Sequence, residues 1–238
     1  MPVANETIET LKQAGVSAVS QTLFSLGIMN AFIPGLRPAN PDTASFAGPA
    51  FTVRAISARE DIRDDIAAGR LPNPHRAAMA QVGAGDVIVT GIGDFPGVSL
   101  FGDLISTHLR NIGCAGIVTD GGVADLNALG SVDLPVFSAG SAPVPASARV
   151  LIVGTNEPIE CRGVPVYPGD IVVGDVNGVV VVPEHLAEAV AGKALAKEKL
   201  EEFLMLRLAA GAPLNGTYPP DATMLAIYEA HLKAAEAQ

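Results

Sequence analysis

The 238-residue chain has no tryptophan, three tyrosines and eight phenylalanines, so aromatics make up only 5% of it. That leaves little with which to stack nucleotide bases or build a carbohydrate platform. Basic residues are also scarce: 15 Lys and Arg stand against 25 Asp and Glu, for a formal charge of −10. Phosphate binding needs clustered Lys and Arg, and none cluster here, so no nucleic-acid partner is expected. The two cysteines, Cys114 and Cys161, lack C-x-x-C spacing, which argues against a disulfide framework or a thiolate zinc cluster. His75, His108, His185 and His231 are never four residues apart, so the paired spacing of zinc hydrolases is missing. A P-loop is absent as well. No apolar run approaches the 18 residues of a membrane span, so no membrane partner is expected. The opening MPVANETIETLKQ has neither a basic stretch nor an apolar run, and a cytoplasmic location is expected.

Against these gaps, 49% of residues are hydrophobic and 17% charged, a balance that belongs to a folded enzyme-sized chain and not a disordered one. No Ser-rich linker or compositional break divides it. The expectation is one domain over 1–238, with a core to about residue 183 and a C-terminal helical arm over about 184–238. Apolar spacings near three and four predict a helix over 6–26 that Gly27 stops. Phe46–Ile56 reads as a strand, AREDIRDDIAAGR as an exposed helix, and His75–Val82 as a short helix. Strand Asp86–Thr90, a glycine loop, a helix near Ser99–Asn111 and strand Ala115–Thr119 follow in alternation, an α/β pattern. A short strand at Pro135–Ser138, a strand-rich region over Val150–Val182, a long helix over Pro183–Leu208 and a last helix from about Asp221 complete it. Gly85-Asp86 and Gly169-Asp170 each lead into a β-branched run and read as repeated turn punctuation.

Three segments bear on chemistry. Ser99, in GVSLF, misses the spacing of a nucleophile elbow. Gly91–Gly97 (GIGDFPG) resembles a dinucleotide loop, but Asp94 and Pro96 would put a charge and a rigid ring where a pyrophosphate belongs. Tight-turn glycines explain it better. The third segment is GDLISTHLRNIGCAGIVTDGGVAD, residues 102–125. Asp103 falls in the first turn of a helix, where an anion is stabilised by about 0.3–1 kcal/mol. Asp120 and Asp125 flank a Gly-Gly turn at the carboxyl end of a strand, the end at which open α/β sheets gather ligands. Packing could bring Asp103 near Asp120–Asp125. Such carboxylates would suit Mg²⁺, which keeps several waters and needs only one or two acidic ligands. Ordinary capping and turn aspartates account for the same residues.

The order Gly102-Asp103, then Ala124-Asp125 with twenty residues between Asp103 and Ala124, resembles the D-x20-R-D signature of the RraA-like family, which includes the 4-hydroxy-4-methyl-2-oxoglutarate/4-carboxy-4-hydroxy-2-oxoadipate aldolases. GVSAVSQTLFSLG, AGPAFTV, GAGDVIV, DLPVFSAGSAP, GVPVYPGDIVVGDVNGVVVVP and EEFLMLRLAAG follow in family order, so the likeness covers most of the chain. It implies a swivelling β/β/α fold with a C-terminal helical arm, assembled as homotrimers or homohexamers with sites between subunits. It also implies class II aldolase chemistry, or an oxaloacetate-type decarboxylation, in which Mg²⁺ or Mn²⁺ polarises a small 2-oxo acid. On that resemblance Asp125 is the metal ligand, and Asp103 is the acid that orients metal-bound water and moves a proton. Gly102, Asp103, Leu104 and Ile105 form the loop whose backbone meets the substrate carboxylate. A glutamate from a neighbour's C-terminal helix, here Glu201 or Glu202, contributes in the aldolases.

The chain departs from the signature at one position: Ala124 stands where the family places an arginine that grips the substrate. VSQTL in the first helix also lacks a common family acid. Arg54, Arg76, Arg149 or Arg162 could supply the charge, with Arg76 and then Arg54 the preferred candidates; the substrate could differ; or the scaffold could act without catalysis, as the ribonuclease E inhibitors do. The leading expectation is a metal-dependent carbon–carbon lyase. An oligomeric regulator is the alternative, and an NAD-linked oxidoreductase rests only on the glycine loop.

Overall fold

A computed structural model describes residues 2–93 and 97–236. The first helix, α1 (Asn5–Ser25), ends in paired bonds from Gly27 N to Phe24 O and from Ile28 N to Leu23 O, the glycine stop expected from the sequence. Two short strands, β1 (Phe32–Ile33) and β2 (Arg37–Pro38), precede the long β3 (Phe46–Ser57). Helices α2 (Glu60–Ala67) and α3 (Pro74–Met79) connect β3 to β4 (Val87–Gly91). Then come β5 (Ser99–Phe101), α4 (Asp103–Asn111), β6 (Gly116–Thr119), β7 (Gly122–Val123), α5 (Leu126–Leu129) and β8 (Val136–Ser138). Strands β9 (Val150–Thr155), β10 (Ile159–Cys161), β11 (Val164–Val166), β12 (Ile171–Asp175) and β13 (Gly178–Val182) follow, then α6 (Ala187–Ala209), α7 (Leu214–Thr217) and α8 (Ala222–Glu236). No helix among the described residues is long and apolar enough to cross a membrane.

The main sheet runs β1-β13-β12-β3-β4-β6-β8-β2, with β9 also on β3. Its centre, β3-β4-β6-β8, is parallel, and β12 and β13 add antiparallel strands beyond β3. Strands covered on both faces read as unbroken apolar runs, and the valines of β4, β12 and β13 sort by alternation. Val87, Val89, Val118, Val172, Val179 and Val181 face the β10–β11 hairpin, whose Ile159, Cys161, Val164 and Val166 close that side. On the opposite face Ile171, Val173, Val180 and Val182 pack under α1 and the first half of α6. Ile88 and Ile117 pack instead with Met79 of α3 and Leu109 of α4.

Two local readings change. The helix expected near Ser99–Asn111 begins only at Asp103, because Ser99–Phe101 pairs as a strand with Gly122–Val123. The first helix is broken at Gly15, whose φ of 76° only glycine adopts readily. Beyond the break Val16 N donates to Asp175 Oδ2 at 2.8 Å, so an acid on β12 caps the second half of the helix. The two Gly-Asp turns match each other: Gly85 and Gly169 have φ of 85° and 86°, and each Asp accepts from the amide three residues earlier.

Candidate active site

The carboxyl ends of β4 and β6 lie side by side in parallel register. From β6 the chain runs through Asp120 and Gly121 into β7, which pairs with β5. Ala124 N then donates to Phe101 O at 2.9 Å. This small second sheet closes the twenty-residue gap and seats Gly102-Asp103 against Ala124-Asp125. A methyl group at Gly102 would stand 3.0 Å from Asp125 Oδ2 and 3.7 Å from the Ala124 Cβ. The backbone at Gly102 is extended, so a side chain there would be opposed not by conformation but by the Asp125 carboxylate, which would have to shift.

Asp125 itself sits at φ 54° and ψ 39°, the left-handed region, which Asp enters more readily than most residues. It precedes α5 but makes no side-chain cap to it, and its residue is exposed. Ordinary capping therefore does not explain Asp125. Asp103 is not a cap either, since Gly102 holds the N-cap position of α4; its Oδ1 accepts from the next amide, Leu104 N, at 2.7 Å at the positive end of the helix. The Leu104 amide is thus occupied by Asp103, while the Leu104 side chain projects into solvent. Ser106 N bonds Gly102 O and starts the helix ladder.

Asp120 takes a different part from the one its spacing offered. Buried at the end of β6, it accepts from Ile92 N at 2.8 Å and Gly93 N at 3.2 Å, stapling the loop after β4. Burial pushes its carboxyl up to about 6, with those two amides and Arg162 pulling the other way. It lines a separate cavity of about 710 Å³ that also holds Arg54 and Arg162. Arg54 is paired there with Glu157 at 3.1 Å, and Arg162 Nε donates to Pro34 O. Gly91 lies against Glu160 O, a close approach that leaves no room for a side chain and gives that glycine a packing role. The expected conflict at Asp94 and Pro96 lies outside the described residues.

Gly102, Ile105 and Ala124 line another cavity, of about 1000 Å³. Its far wall comes from the β3–β4 connection, including Arg63, His75 and Arg76. Asn73 caps α3 by accepting from Arg76 N, which fixes where His75 and Arg76 stand. Of the arginines considered for the missing charge, Arg76 shares the cavity with Ala124; Arg54 and Arg162 face the other one, and Arg149 lines neither. His75 was legible only as the start of a short helix. Its ring meets Phe101 edge-on at 6.2 Å, burial lowers its pKa, and its Nε2 is buried without a partner. Glu201 lies on α6 in an i,i+4 pair with Lys197, and neither Glu201 nor Glu202 lines this cavity. Among the described residues no three acidic, His or Cys side chains converge as a ready-made metal cage.

The family described as "RraA-like: Aldolase/RraA" matches residues 16–181, and the chain belongs to it. A Halalkalibacterium halodurans protein carrying the provisional name 4-hydroxy-4-methyl-2-oxoglutarate aldolase is 34% identical over 167 residues, covering 70% of this chain and 73% of that one. Among solved structures, an uncharacterized protein of Pseudomonas syringae superposes with a TM-score of 0.79 at 26% identity, over 92% of this chain and 99% of the other. Streptomyces coelicolor RraAS2, described as an unusual member of the RNase ES inhibitor RraA family, gives 0.75 at 26%, over 87% and 99%. The swivelling β/β/α architecture with C-terminal helices is therefore that of the RraA-like proteins.

Proposed function

We propose that the chain is a divalent-metal-dependent carbon–carbon lyase acting on a 2-oxo acid, as an aldolase, an oxaloacetate-type decarboxylase or both. The observation that carries this reading is the exposed, uncapped Asp125 carboxylate, held in left-handed backbone beside a glycine that keeps its flank open. Asp125 would hold Mg²⁺ or Mn²⁺, a hard cation content with one or two carboxylates and water. When bound, the cation would polarise the substrate's 2-oxo carbonyl as a Lewis acid. Asp103 follows the glycine that flanks Asp125, and would release the Leu104 amide to take the proton of an aldol substrate's hydroxyl as that oxygen becomes a carbonyl and the carbon–carbon bond breaks, leaving the amide for the substrate carboxylate. Arg76 would add the positive charge that Ala124 cannot. In this reading residues 1–238 work as one domain in the cytoplasm, as a homotrimer or homohexamer. Exposed Met205 and Leu206 on α6 give the C-terminal arm apolar surface to bury against a neighbour, where Glu201 or Glu202 could reach the next site.

Assay of oxaloacetate and a panel of 2-oxo acid aldols with Mg²⁺ or Mn²⁺ tests the reading. The expected result is turnover that chelation abolishes and that metal restores. Ala124 and the likeness to RraAS2 favour a second reading, a non-catalytic regulator of the ribonuclease inhibitor type. Absence of turnover with every substrate, together with inhibition of a ribonuclease E-type enzyme, would put that reading first.

A further inference from the structure

Cys161 of β10 pairs with Val164 of β11, so Arg162 and Gly163 alone make the turn between them, at φ of 52° and 83°. Two positive φ values define a type I′ hairpin turn, whose first position favours Asn, Asp or Gly. An arginine there is strained, and such strain persists where the surroundings hold the residue for a use. Here Nε donates to Pro34 O at 3.1 Å, and Nη2 lies against Gly35, where a methyl group would stand 2.8 Å from it. The guanidinium is thus held in place with no acid in ion-pair range among the described residues.

Arg162 lines the cavity of about 710 Å³ beside Asp120, a volume within the range of small-molecule sites. The charges around it are mixed. Arg54 is taken by Glu157, and the Asp120 oxygens are taken by the Ile92 and Gly93 amides. Glu160 lines the same cavity, is exposed and, like Arg162, makes no ion pair among the described residues. One cation and one carboxylate therefore share a cavity without neutralising each other. A bare anion at Arg162 would meet the negative charge of Glu160 and Asp120, and a bare cation at Glu160 would meet the guanidinium. A ligand that carries both charges complements both ends. Pro158, Pro165 and Tyr167 give the remaining wall apolar surface for a side chain.

We infer that this cavity binds a small zwitterion, an α-amino acid whose carboxylate meets Arg162 and whose ammonium faces Glu160, at a site separate from Asp125. The inference does not depend on the lyase reading. Thermal-shift screening of the standard L-amino acids against the intact protein, followed by calorimetry with those that bind, tests it. The expected result is a dissociation constant at least about tenfold lower for an amino acid than for the carboxylic acid lacking its amino group or the amine lacking its carboxyl, about 1.4 kcal/mol. Arg162→Asn puts a favoured residue into the turn, so the melting temperature should hold or rise while amino-acid affinity falls at least about tenfold. Glu160→Gln should weaken the amino acid and leave the deaminated acid unchanged. Asp125→Asn should leave amino-acid binding as it is in the wild type. Failure of every amino acid to bind overturns the inference, as does equal affinity for the deaminated acid or the amine. Binding indifferent to Arg162→Asn, or to Glu160→Gln, also overturns it. Binding lost in Asp125→Asn would move the ligand to the site already described and reject a second one.

Discussion

Asp120 and Asp125 lie five residues apart on one loop and have opposite surroundings. Asp120 is buried, and two backbone amides occupy its oxygens. Asp125 is exposed, its backbone is in a region few residues favour, and its carboxylate does not cap the helix it precedes. The first arrangement consumes a charge to hold a loop; the second holds a charge ready for something else. Sequence spacing cannot tell these apart, because both are aspartates flanking Gly-Gly. Coordination separates them: the carboxylate satisfied by amides holds the scaffold, and the one left to solvent at some conformational cost is the one we propose for the site.

The sharpest way to break this contrast is Asp125→Asn, which keeps tolerance of left-handed backbone while removing the charge. Cation affinity by calorimetry and turnover should each fall about a thousandfold, about 4 kcal/mol, with the melting temperature nearly unchanged. A loss below tenfold would return Asp125 to the scaffold. Asp120→Asn should act on stability instead, and with a defined pH dependence. Burial raises the folded-state pKa to about 6, so the native state holds this proton more tightly than the unfolded chain does. Stability from this group is therefore full below about pH 4 and lost as pH rises to about 6, a change of up to about 3 kcal/mol. Urea unfolding at pH 4 and pH 7 should show the wild type losing that much relative to the Asn variant. A pH-independent difference would mean that the carboxylate is not desolvated.

Smaller effects probe the neighbours. Gly102→Ala puts a methyl group 3.0 Å from Asp125 Oδ2, and should weaken cation binding about tenfold, about 1.4 kcal/mol, with little change in folding stability. Unchanged affinity would show that the open flank is incidental. Arg76→Ala should lower kcat/KM about tenfold by removing the cation of the Ala124 cavity that has no ion-pair partner among the described residues, since Arg63 is paired with Asp64. Arg54→Ala, whose partner is the half-exposed Glu157, should change kcat/KM less than twofold, as exposed ion pairs contribute little. The opposite ranking would place the substrate in the Asp120 cavity.

What could be read from residues alone followed from local causes. Gly27 stops α1, His75–Val82 reads as a short helix where α3 lies, and the β-branched runs after Gly85-Asp86 and Gly169-Asp170 announce β4 and β12. The likeness to the RraA-like proteins added the pairing of Gly102-Asp103 with Ala124-Asp125, which no local rule supplies. What stayed hidden depended on distant partners. The break at Gly15 is capped by Asp175, 159 residues from Val16. Ser99–Phe101 is too short to declare itself a strand until Gly122–Val123 lies beside it. His75 gave no signal at all, since an imidazole becomes part of a site only through what surrounds it, here Phe101 and the cavity wall.

The connection from β3 to β4 has an implication for how such a protein can change. Parallel neighbours need a crossover of a dozen residues or more whatever it contains, and lengthening a surface connection costs little, about 0.6 kcal/mol for each doubling. Here that obligatory link, carrying α2 and α3, also supplies the cavity wall opposite Gly102 and Ala124. The carboxylate pair depends on β5, β7 and α4, which lie outside the link. Ligand preference can therefore be rewritten by exchanging one segment between two fixed strand ends, and a chimera carrying a relative's β3–β4 link is the natural unit of redesign.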